Sequence, residues 1–225
     1  YGRVTRDAGY VVLQYWYLYA MNDWRSTFGG VNDHEADWEQ VTIFLVDHGA
    51  DREPEPAWVA FSSHDEVGDD LRRRWDDPDI SFVDGTHPVV YAGAGSHSGA
   101  YLPGEYVTSV GLPLPGFVER LRRNLARLLP WGDGGDEVIG IPYIDYRRGD
   151  GDSVGPGQDR HWSPTVITDQ TPWVRDYRGL WGLDTQDPLG GERAPAGPRY
   201  DRDGSVRDSW RQPVAWAGLD KEAPT

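Results

Sequence analysis

The chain has 225 residues, with 22 Lys and Arg against 37 Asp and Glu, for a net charge of −15. That balance argues against nucleic acid as a partner, because duplex affinity rests on basic side chains that neutralise phosphates. The absence of Cys excludes a disulfide scaffold, a thiolate zinc site and a Cys nucleophile. No apolar run is long enough to span a membrane. The length fits one domain over residues 1–225, and 11 Trp, 12 Tyr and 5 Phe supply a core that the aliphatics alone would leave thin. With 28 Gly and 17 Pro, many short elements joined by turns are expected. The first residue is Tyr1, not Met, which reads as a fragment or a processed chain. A secreted and a cytoplasmic location both stay open.

In chain order, Tyr10–Tyr19 (YVVLQYWYLY) reads as a buried strand, apolar on both faces apart from Gln14. A polar, Gly-containing loop follows over residues 22–33. Strands are predicted at 37–46, 57–63 and 88–92, with shorter ones at 106–110, 138–146 and 165–168. One segment has helical period, with Phe117, Leu121, Leu125, Leu128 and Leu129 on one side, Pro115 near its start and Pro130 at its end. Its four Arg suggest a solvent face, so a membrane-surface role is weighed but not favoured. Residues 182–225 read as an irregular segment wrapping the domain, anchored by Trp210 and Trp216. The pattern predicts a mainly-β fold: an antiparallel, jelly-roll-like β-sandwich with one amphipathic helix and a long irregular C-terminal segment.

The densest chemistry lies in Asn32-Asp33-His34-Glu35-Ala36-Asp37-Trp38-Glu39. On a strand, Asp37 and Glu39 point to one face, which continues through Val41, Ile43 and Leu45. Two carboxylates at the end of an apolar row repel each other and are costly to desolvate. A bound cation relieves both costs. His34 lies in the turn that feeds the strand, and Asp23 follows the preceding strand. The candidate metal ligands are therefore Asp23, His34, Asp37 and Glu39, with Mg, Mn or Ca as the suited cation. The competing reading is an acidic loop that hydrogen-bonds to backbone and caps the strand.

Two further motifs place a His after a Ser at a strand end, Ser62-Ser63-His64-Asp65 and Gly95-Ser96-His97-Ser98. His64 and His97 are candidate general bases or ligand donors, against the alternative that each orders its own loop. Trp24, Trp38 and Ser96 are candidate ligand-binding residues, the indoles by stacking. A serine hydrolase is not supported, since the Gly95–Gly99 stretch is not followed by a helix.

Leu13-Gln14-Tyr15-Trp16-Tyr17, Asn22-Asp23-Trp24, the acidic stretch above, Gly85-Thr86-His87-Pro88-Val89-Val90-Tyr91 and Trp210-Arg211-Gln212-Pro213 occur in that order. Together they resemble the vacuolar protein sorting-associated protein 62 family. More distantly, Asp33–Glu39 is similar to the Gly-His-Arg-His-Asp-Trp-Glu heptad of the necrosis-and-ethylene-inducing-peptide-like toxins. That resemblance implies a divalent cation held by Asp23, His34, Asp37 and Glu39, the same set reached from strand geometry. Asp33 replaces the heptad Gly and Ala36 its second His, so toxin activity is not carried over.

The expectation is a divalent-cation site at one loop end that binds a polar ligand: a sugar or other glycan, a lipid headgroup or an anionic small molecule. A metal-dependent hydrolase with His64 or His97 as base is the first alternative. A structural or trafficking module with a loop-stapling cation is the second.

Overall fold

The structure is a computed structural model that describes residues 1–23, 33–62, 71–113, 138–184 and 194–221; of 108–113 and 138–143 it describes the backbone alone. The centre of the fold is a five-stranded antiparallel sheet in sequential order, formed by β1 (Gly2–Asp7), β2 (Tyr10–Asn22), β3 (His34–Val46), β4 (Glu55–Phe61) and β5 (Arg72–Arg74). Ala8 and Gly9 both have positive φ (43° and 85°), the backbone that a two-residue hairpin needs to match strand twist. β2 and β3 pair from Tyr10 opposite Val46 to Asn22 opposite His34. Between β3 and β4 the register shifts next to Phe44 and Leu45, leaving Ala57 as the extra residue of a bulge.

Both faces of the sheet are covered, so its strands read as nearly continuous apolar runs. One face presents Tyr10, Val12, Trp16, Trp38 and Phe44. It packs against Ile167, Val174, Trp210, Val214 and Leu219 from the C-terminal part of the chain. The other face presents Val41, Ile43, Val59 and Phe61, covered by Ile80 with Trp75, Phe82, Val90 and Tyr101 around it. A fully buried aliphatic side chain such as Val12 or Leu219 contributes roughly 1.5–3 kcal/mol. Gln14, the polar break in the apolar run, accepts from Arg3 Nη1 at 2.7 Å and donates to the Ser209 carbonyl at 2.7 Å.

Among the described residues, three two-stranded ribbons complete the strands: β6 (Phe82–Val83) with β7 (His87–Pro88), β8 (Tyr91–Ala92) with β9 (Gly99–Ala100), and β10 (Gly104–Pro113) with β11 (Val138–Arg147). The helices are short: α1 (Pro172–Asp176), α2 (Asp208–Arg211) and α3 (Pro213–Trp216). None of the described helices is long and apolar enough to cross a membrane.

The mainly-β, antiparallel class is what the sequence implies. Among the described residues the covering layers are ribbons and short helices around one broad sheet, rather than a second broad sheet. The strand expected at 88–92 is instead split between β7 and β8: Val89 still follows the β6–β7 register, donating to the Ser81 carbonyl at 2.8 Å, and Tyr91 pairs with Ala100 of β9. The strand expected at 165–168 is reduced to a parallel bridge between Val166 and Gly2. β1, β5 and β6 carry too little periodicity to be read from the sequence. The predicted Phe117–Leu129 helix lies outside the described residues.

Candidate functional site

Asp37 and Glu39 sit at the end of β3, opposite Tyr19 and Tyr17 of β2. Their carboxylates lie on the face that continues through Val41 and Ile43, as the period-two argument predicts. Asp37 is 1% exposed and Glu39 3%. His34 and Asn22 face each other at the last pair of the ladder, and Asp23 follows, exposed.

Strict alternation would separate Asp37 from Asn22. Ala36 breaks it, with a φ of 59° in the left-handed region where few side-chain-bearing residues are found. Asn22 Nδ2 then reaches Asp37 Oδ2 at 3.3 Å. His34 Nδ1 lies 2.7 Å from the Ala36 carbonyl, which fixes that nitrogen as an N–H donor, so that in the neutral ring the lone pair is on Nε2. Asn22 is fully buried, and among the described residues its Oδ1 has no donor.

The Gly93–Ser98 loop supplies the third side of the site. His97 stacks on Tyr19, with ring centroids 3.9 Å apart and planes 8° from parallel. Its Nδ1 lies 3.0 Å from Asp37 Oδ2. A carboxylate accepts only, so Nδ1 donates. His97 thus bonds a carboxylate on another element instead of merely ordering its own loop.

Electrostatics follow burial. Desolvation pushes the Tyr17 hydroxyl up to about 12, with Tyr15 adding to the effect. Tyr19 is raised further by burial, by Tyr17 and by the charges of Glu39 and Asp37. Burial lowers the Arg207 guanidinium to about 10, and the charge of Glu39 acts against that fall. Arg207 donates to the carbonyls of Gly197 and Tyr200, at 2.8 and 3.2 Å.

No family model matches the chain, and neither a curated protein nor a solved structure matches it. The site is therefore read from its own geometry.

Of the expected metal ligands, His34, Asp37 and Glu39 share one end of the β2–β3 pair, and Asp23 lies beside that end. Among the described residues no three His, Asp or Glu side chains already converge as a ready-made cage. Two expected ligand-binding residues are corrected. Trp38 is 4% exposed because even-numbered β3 residues face the indole core. There it meets Tyr1, Trp173 and Trp181 at 5.8, 6.1 and 5.2 Å. Ser96 is 2% exposed, and its hydroxyl is committed to Asp145 Oδ2 at 2.6 Å. Trp24 and His64 lie outside the described residues. Asn22, Tyr19 and Arg207 were not expected. Asn22 and Tyr19 are visible in hindsight as neighbours of Asp23 on one strand, whereas nothing local marks Arg207.

Proposed function

We propose that the His34 end of the β2–β3 pair binds a divalent cation, of the Mg, Ca or Mn class, and through it a polar ligand such as a glycan, a lipid headgroup or an anionic small molecule. The observation that carries this reading is the buried Asn22 Oδ1, without a donor among the described residues, beside Asp37 and opposite His34. Buried acceptors are almost always satisfied, and an orphan calls for a missing partner. A cation supplies it and offsets the buried charge of Asp37 and Glu39 at the same time. His34 has the hydrogen bond common to metal-ligating histidines, with one ring nitrogen held by a carbonyl and the other left to coordinate. The residues that would hold the cation are Asp23, His34, Asp37 and Glu39, joined by Asn22. This oxygen-rich set suits hard cations over zinc.

A second reading is favoured by the His97–Asp37 hydrogen bond. A carboxylate that holds one imidazole nitrogen orients the other as a general base. On that reading the site would be a metal-dependent hydrolase, the cation supplying Lewis acidity and His97 the base. Elemental analysis of the purified protein, with melting curves in chelator and in added Mg, Ca or Mn, tests the first reading. A bound divalent ion and a melting point that falls on chelation support it; no ion and no response to any of the three would sink it. Turnover of phosphate and carboxylate esters by the loaded protein, lost in His97→Ala, separates the second reading from the first.

A further inference from the structure

His97 is held by backbone and side-chain groups beyond its contacts with Tyr19 and Asp37. Its φ of 56° is a strained left-handed conformation, which persists only where the surroundings over-determine it. The surroundings here are a closed ring of hydrogen bonds. Arg147 Nη2 donates to Ser98 Oγ at 2.6 Å, and Arg147 Nε donates to Asp145 Oδ2 at 2.9 Å. Ser96 Oγ donates to the same Asp145 oxygen at 2.6 Å. Ser96 and Ser98 hydroxyls are 2.8 Å apart. Arg can only donate and an ionised Asp can only accept, so the remaining proton runs from Ser98 Oγ to Ser96 Oγ. Every member is at least nine-tenths buried, Arg147 the least so at 8% exposed.

The two serines are the residues on either side of His97. Backbone bonds close the loop from within, His97 N to Gly93 O at 3.1 Å and Gly93 N to Ser98 O at 3.1 Å. Ala94 N donates to Tyr146 O at 2.9 Å, between the two charged residues of β11. Gly93 itself leaves no room, since a Cβ there would stand 2.4 Å from Ser96 Oγ and 2.5 Å from both Asp145 oxygens. Asp145 and Arg147 are i and i+2 on β11, so one strand face presents both to the loop.

We infer that Asp145 and Arg147 are positioning residues for His97: their ring with Ser96 and Ser98 fixes the left-handed turn that lays the imidazole on Tyr19 and against Asp37. The role of His97 toward a ligand rests on the function proposed above, but its placement does not. Neither positioning residue touches the cation site. Both act through the loop.

The test is a proton NMR spectrum of the His-labelled full chain. A ring stacked 3.9 Å above Tyr19 has its protons displaced upfield of those of the exposed His48 and His161. Loss of the signal in His97→Gln identifies it. Ser98→Ala and Arg147→Lys each open the ring, and the His97 signals should move to the positions of exposed histidines. A lowered melting point with unmoved His97 signals in both variants would show a purely structural role and overturn the inference. Should Arg147→Lys fail to fold, Ser98→Ala, which removes one oxygen, carries the test alone. The same spectra with added Ca or Mg separate the two ideas. Wild-type spectra indifferent to the cation, with variants that release His97, sink the cation reading and leave the positioning role standing.

Discussion

The imidazole of His97 and the carboxylate of Asp37, 60 residues apart in sequence, are joined by a 3.0 Å hydrogen bond at the end of the central sheet. Asp37 is the more deeply buried partner, with 1% side-chain exposure against 18% for His97. The asymmetry gives the two residues different roles. Asp37 belongs to the N-terminal end of β3, while His97 comes from the loop between β8 and β9. Under the proposed function, saturating Ca, Mg or Mn at about 100 times its dissociation constant raises the melting temperature by roughly 5–10 °C. Asp37→Ala abolishes that rise and lowers the apo melting point. His97→Ala keeps the rise, since it removes no cation ligand. Scanning calorimetry of the three proteins decides it, and a His97→Ala protein that no longer responds would place His97 among the ligands.

Gly93 is the tightest point of the His97 loop, because its Cα lies against Ser96 and the Asp145 carboxylate. Gly93→Ala must push apart a buried pair that has no room to yield, at a cost of roughly 3 kcal/mol. Gly151, in a bend with nothing within 4 Å of a built Cβ, is the matched control. Gly151→Ala should stay within about 0.5 kcal/mol of wild type. Urea denaturation reports both, and similar midpoints for the two variants would show that the loop relaxes freely.

The acidic face of β3 was legible in the sequence because it needs nothing beyond strand parity: Asp37 and Glu39 two apart, then Val41 and Ile43 on the same side. The same parity argument puts Trp38 on the opposite face, and it belonged to the core from the start. What was not legible depends on contacts far apart in the chain. Asp145 and Arg147 meet Ser96 and Ser98 across about fifty residues, and nothing in either segment marks the other. The left-handed Ala36 was hidden for another reason. Alanine gives no sign of positive φ, as glycine would, and that one dihedral is what lets Asn22 reach Asp37. The broad sheet was foreseeable from its apolar runs. The β10–β11 ribbon was foreseeable in part, but the two shorter ribbons and the short helices were not, since elements of two to five residues carry no period.

Tyr17 sets an alkaline limit on the fold. Burial raises its hydroxyl to about 12, against an ordinary value near 10. A raised folded-state value means that the native protein holds the proton more tightly than the unfolded chain does. The contribution is complete below about pH 10, declines between about 10 and 12 and is lost above. Tyr17→Phe has no such proton to lose. Its stability should therefore fall less steeply over that window than that of wild type. Arg3 and Arg207, both lowered to about 10 by burial, act with opposite sign but equally in the two proteins, so the difference reports Tyr17 together with its coupling to Tyr19. Urea unfolding at a series of pH values supplies the slopes, and equal slopes would refute the assignment.

Gly182 ties the C-terminal part of the chain to the N-terminal end of β3. Its φ is 152°, and a Cβ there would stand 2.6 Å from the Glu35 carbonyl oxygen. On one side of it Trp181 meets Trp38 edge-on at 5.2 Å; on the other, the Leu183 N–H donates to Glu35 Oε2 at 3.0 Å. These contacts bear on the residue immediately before Ala36, whose carbonyl holds His34 Nδ1. Gly182→Ala is therefore expected to cost roughly 2 kcal/mol, from strain and a backbone clash together, and also to weaken the cation-induced rise in melting temperature. Leu183→Ala removes a side chain that is 55% exposed and keeps the N–H, so stability and cation response should both stay near wild type. A Gly182→Ala protein with lowered stability but an unchanged cation affinity by calorimetric titration would show that the kink at Ala36 holds without its C-terminal support.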